Sequence, residues 1–143
     1  MKTVFASDFD PRRTSCWRSW RYVNDDFKDE FLSLVERNAL QKDGEFPVIW
    51  STKQKYVLKA SCVSGSFFAY KAYNKLKKQY EFFFRLSHCG AEAVNYQQIS
   101  SMGIKTPRLL AVGDTRCRGV LKTAFIATEF VEDYQDGRAF FAR

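Results

Sequence analysis

Two residues of opposite charge fall where charge is expensive. Lys71 stands in the aromatic run Phe67-Phe68-Ala69-Tyr70-Lys71-Ala72-Tyr73, whose composition and period-2 alternation predict a largely buried strand. Glu92 opens a stretch, 91–102, in which Ala93, Tyr96, Ile99 and Met102 recur at helical spacing as a core-facing stripe. Glu92 precedes Tyr96 by four residues, so its carboxylate leans toward that stripe. An ammonium and a carboxylate aimed into one apolar layer should pair, because each alone would have to shift its pKa or stay wet. The chemistry such a pair supports is anion handling: the ammonium is a point charge suited to phosphate oxygens, and the carboxylate holds its flexible stem in one place. Taken singly, Lys71 also reads as an edge-strand lysine and Glu92 as a solvent-facing acid near a helix N-terminus; only together do they point to a site.

The elements needed to position the pair can be read along the chain. Residues 1–22 form an irregular arm in which Arg12, Arg13, Arg18 and Arg21 alternate with Trp17, Trp20 and Tyr22, a pattern suited to an anionic membrane interface or to covering a sheet face. Asn24 or Asp25 caps a helix whose stripe is Phe27, Phe31, Leu34 and Val35, and Asp43-Gly44 stops it. Short strands follow at 46–50 and 56–63, joined by a polar loop at 51–55. Ser64-Gly65 then makes a tight hairpin into the strand of Lys71. A short helix over 75–86 places Lys75, Lys77, Lys78 and Arg85 on its wet side. Gly90 bends the chain into the Glu92 helix, which ends at Gly103 as a left-handed cap, with Pro107 preventing a restart. Strands at 108–113 and 121–130 close the order around a polar turn at 114–119.

Bulk properties limit the classes of function. A chain of 143 residues, 45% hydrophobic and 17% aromatic, with 7 Gly and 3 Pro, has the makings of one packed unit and not of a disordered segment. The net charge of +7 implies an anionic partner. Cys16, Cys62, Cys89 and Cys117 are scattered, with no C-x-x-C and a lone His88, which argues against zinc and for reduced thiols. Without a signal-peptide or membrane-spanning apolar run, the expected location is cytoplasmic, at most peripheral at the inner membrane.

An antiparallel sheet with a helix inserted after its third strand is the plan of a protein-kinase-like small lobe. Three local strings extend that likeness. Ala69-Tyr70-Lys71-Ala72-Tyr73 is similar to the strand-lysine motif. Glu92, followed eleven residues on by Gly103-Ile104-Lys105-Thr106-Pro107, resembles the helix exit of the lipopolysaccharide core kinases, which phosphorylate Kdo or heptose sugars. Residues 124–130 look like the strand leading into the hinge. The resemblance spans 56–131, roughly half of the chain. It implies an α+β fold: a five-stranded antiparallel small lobe over 46–134, an N-terminal arm and helix over 1–45, and over 135–143 the start of a connection to a large lobe.

The resemblance also implies roles. Lys71 and Glu92 are the catalytic pair, with Lys71 on the α- and β-phosphates of ATP and Glu92 orienting it. The main chain of Glu129, Phe130 and Val131 meets the adenine edge. The 51–55 loop lacks glycine, so the phosphate grip falls to side chains such as Ser51 and Thr52. Mg²⁺ ligands, the catalytic base and the sugar acceptor belong to the large lobe, and no transfer is expected from residues 1–143 alone. Self-association through the apolar face left for that lobe, and contact with an anionic membrane surface, are further expectations. The alternative is a non-catalytic basic module for nucleic acid or anionic lipid in which Lys71 and Glu92 are structural, though no RNA-binding or helix-turn-helix signature favours nucleic acid.

Overall fold

The computed structural model describes residues 19–74 and 86–130. Among these residues six strands form one antiparallel sheet: β1 (Trp20–Val23), β2 (Val48–Ser51), β3 (Lys55–Ser61), β4 (Phe67–Tyr73), β5 (Leu109–Cys117) and β6 (Val120–Glu129), in the order β1-β5-β6-β4-β3-β2. With two α-helices among the described residues, α1 (Lys28–Glu36) and α2 (His88–Ser101), the fold is α+β. The expected five strands become six because Trp20–Val23, read from sequence as irregular, pairs with β5 along Trp20↔Asp114 to Val23↔Ala111. Four residues are too few to show a period, and what recruits them is tertiary: an open edge on β5 and a buried carboxylate for the Trp20 indole.

The two faces of the sheet are covered by different helices. On one, Phe27 at the end of a 3-10 turn and Phe31 and Leu34 of α1 pack on Phe68, Ala60, Ala111 and Ala127. Phe27 meets Phe68 edge-on at 5.0 Å, and Phe31 stacks on Phe125 at 5.7 Å. Asn24 caps this segment as expected, its side chain accepting the Asp26 N–H. The Val63 N–H donates to the Glu30 carboxylate, tying α1 to the β3–β4 hairpin. Gly65 in that hairpin has φ +90°, which glycine adopts without steric cost.

On the other face, α2 lays Cys89, Gly90 and Ala93 against Val112, Ala124, Ile126 and Tyr73. The helix begins three residues before the expected 91. Ser87 is its buried N-cap, accepting the Gly90 N–H, so Gly90 is helical and makes no bend. Its missing side chain admits the Trp20 ring, 3.2 Å from where a Cβ would stand. At the other end Gly103, with φ +81°, follows the helix as predicted. Ile99 and Met102, expected in the core, are 37% and 72% exposed; α2 buries only Cys89, Gly90 and Ala93, all in its first half. The turn between β5 and β6 contracts from the expected 114–119 to Arg118-Gly119, both at positive φ, the two-residue geometry that suits strand twist. Residues 75–85 of the helix expected over 75–86, with its lysines, and the arm through Arg18 lie outside the described residues.

Candidate functional site

Strand register decides which side chains share the α2 face. Lys71 lies across from Val57 on β3 and Ile126 on β6; two residues on, Tyr73 lies across from Lys55 and Ala124; two back, Ala69 lies across from Lys59 and Thr128. Paired residues project to the same side, so Lys55, Lys59, Lys71, Tyr73 and Val57 line one surface. Since β4 sits between β3 and β6, Lys71 is central in the sheet, and the edge-strand reading of that lysine does not hold.

The pair forms. Lys71 Nζ lies 3.1 Å from Glu92 Oε2, with the two side chains 27% and 32% exposed. Glu92 Oε1 accepts the Tyr96 hydroxyl at 3.3 Å from one helical turn further on, so both carboxylate oxygens are engaged. Burial pulls the Lys71 pKa down, but the charge of Glu92 and the hydrogen bond to it outweigh that, and the net position is above the ordinary lysine value. Lys71 is therefore a firmly protonated cation, held in place and still reachable from solvent.

Around it the structure adds residues that periodicity did not reveal. The Tyr73 ring carries Lys71 Nζ at 5.9 Å and Lys55 Nζ at 5.4 Å from its centroid, and Lys55 is also 4.8 Å from the Trp50 ring. Lys59 lies 4.5 Å from both Phe67 and Phe130, at the end of the face nearest the expected hinge. Cys89 packs beneath, where burial first and the Glu92 charge second push its thiol up, leaving it neutral and unreactive. The alternation of Lys55 and Lys59 with apolar residues along β3 was the available sequence signal; only pairing with β4 shows that they share a surface with Lys71.

The other expected site residues fare differently. Ser51 ends β2, and the Thr52 hydroxyl accepts the N–H groups of Gln54 and Lys55, closing its own loop. The Glu129 N–H donates to Arg108 C=O and the Phe130 N–H to Phe67 C=O, so a base edge there would use other main-chain groups. Val131 lies outside the described residues.

A second charged cluster buttresses this face. Asp114, fully buried on β5, accepts Trp20 Nε1 at 3.0 Å and Arg116 Nε at 3.1 Å through Oδ2. Burial raises the Asp114 pKa, with Arg116 opposing. The cluster fixes β1 and, through the Trp20 ring, the start of α2, which carries Glu92.

Among the described residues no group of three or more His, Cys, Asp or Glu is arranged to hold a metal ion, and no helix is long and apolar enough to cross a membrane. No protein family, no curated protein and no solved structure matches the chain.

Proposed function

We propose that residues 46–134 are the ATP-binding small lobe of a lipopolysaccharide core sugar kinase, an enzyme passing the γ-phosphoryl group of ATP to a Kdo or heptose hydroxyl. The observation that carries this reading is the 3.1 Å contact between Lys71 and Glu92. It is supported by where the partners sit. Counting β2 to β6 as the lobe's own strands, the lysine is on the third and the glutamate on a helix inserted between the third and fourth, the arrangement that kinases use to position ATP phosphates. The Gly-Ile-Lys-Thr-Pro exit from that helix supports the sugar-kinase branch.

In this reading Lys71 draws charge from the α- and β-phosphates, and Glu92, steadied by Tyr96, keeps the ammonium from folding away. By the same resemblance the metal ligands, like the base that positions the sugar hydroxyl, are assigned to a large lobe. Titration calorimetry of ATP-Mg against the chain and Lys71→Ala tests the reading. Binding by the native chain and a loss of tenfold or more in the variant is expected. Equal affinities would reject the role of Lys71.

A second reading is favoured by Lys55 and Lys59 beside Trp50, Tyr73, Phe67 and Phe130: a face on which single-stranded nucleic acid could stack. It predicts salt-sensitive oligonucleotide binding that Lys71→Ala leaves unchanged.

A further inference from the structure

Resting on the nucleotide-site reading, we infer that Lys55 is a phosphate-binding residue of the same site, that it takes the terminal phosphate of a nucleoside triphosphate, and that it does by side-chain charge what the glycine-free 51–55 loop cannot do by backbone.

Four observations lead there. The loop contains no glycine, so close main-chain approach to phosphate oxygens is not favoured, and the N–H groups of Gln54 and Lys55 are turned inward onto the Thr52 hydroxyl and not toward a ligand. Lys55, the last residue of that stretch and the first of β3, projects onto the surface that carries Lys71. The two ammonium groups both lie against one ring, at 5.4 and 5.9 Å from the Tyr73 centroid, so both stand beside the path of a polyphosphate that crosses this surface. Finally, while Lys71 is matched by Glu92, no carboxylate among the described residues pairs with the half-buried Lys55. The rings of Trp50 and Tyr73 hold its charge near the site without neutralising it.

Register supplies the assignment to a particular phosphate. Along β3 the order is Lys59 beside Phe130, then Val57 across from Lys71, then Lys55 across from Tyr73. Each step is two residues, about 7 Å of strand. A nucleotide with its base at the Phe130 end and its first phosphates at Lys71 therefore presents its outermost phosphate to Lys55. A diphosphate would stop short of it. Lys55 thus selects for triphosphate over diphosphate, whereas Lys71 serves both.

The test uses the whole chain, with calorimetry of ATP-Mg and ADP-Mg against native protein, Lys55→Met, Lys55→Arg and Lys71→Ala. Met keeps the stem over the two rings while removing the charge, and circular dichroism checks that each variant is folded. The expected result is an ATP affinity about tenfold lower in Lys55→Met with ADP affinity within twofold of native, substantial recovery in Lys55→Arg, and loss for both nucleotides in Lys71→Ala. If Lys55→Met leaves ATP affinity unchanged, or lowers ATP and ADP alike, the inference is overturned while the nucleotide site stands. If the native chain binds neither nucleotide, the site reading itself fails and the inference with it.

Discussion

The contact between Lys71 and Glu92 has a size that can be worked out and measured. At 3.1 Å the attraction is about 5 kcal/mol for an effective dielectric of about 20 and about 1.3 kcal/mol for bulk water. Side chains roughly a quarter to a third exposed fall between these limits, and solvent screening, desolvation and the entropy of fixing two long side chains remove part of the gain. A coupling energy of about 1–2 kcal/mol results. A double-mutant cycle with Lys71→Met, Glu92→Gln and both, followed by urea unfolding, isolates the term. The double substitution should cost less than the two singles added together, by that coupling energy, because each single leaves a half-buried charge or amide facing the wrong partner. A coupling below about 0.3 kcal/mol would mean that the two groups meet only incidentally, and the case for an oriented ammonium would fall.

Three further outcomes are expected. Asp114→Ala takes the buried carboxylate away from the Arg116 guanidinium and releases the Trp20 indole, so unfolding should be easier by about 3 kcal/mol, accompanied by a red shift of tryptophan emission. Because the folded-state pKa of Lys71 lies above its ordinary 10.5, its pairing stabilises fully below that value and is lost as pH rises past it. The stability gap between native protein and Lys71→Met should accordingly stay level up to pH 9 and close at higher pH, and a gap that shrinks between pH 6 and 9 would contradict this. Ile99, Met102 and Ile104 together leave an apolar strip at the end of α2, 37%, 72% and 54% exposed, so light scattering should detect concentration-dependent association that Met102→Lys reduces.

What the sequence disclosed depended on the range of the forces involved. The Lys71–Glu92 contact was readable because each residue interrupts a regular apolar pattern, and two uncompensated charges in one layer have few alternatives. The caps at Asn24 and Gly103 were readable for the same local reason. Lys55 and Tyr73 were not recognised as neighbours of the pair, since their proximity arises from cross-strand register that neither strand encodes alone. Ile99 and Met102 fall outside the core because helical spacing tells which side of α2 they occupy but not how far along the helix burial reaches, which is only to Ala93. Gly90 suggests a bend from sequence, whereas in the fold it gives clearance for an indole contributed by Trp20, 70 positions earlier.

The remoteness of β1 from its partner has a consequence for how the molecule assembles. Trp20 and Asp114 are separated by 94 positions, so pairing the outermost strand closes a long loop, and its docking is expected after the local hairpin of β5 and β6. During synthesis the N-terminal strand emerges first and waits longest, and until it docks the flank of β5 is an open template. A neighbouring copy offers the same strand at the same moment, so crowded refolding should yield exchanged dimers whose abundance depends on protein concentration and not on nucleotide.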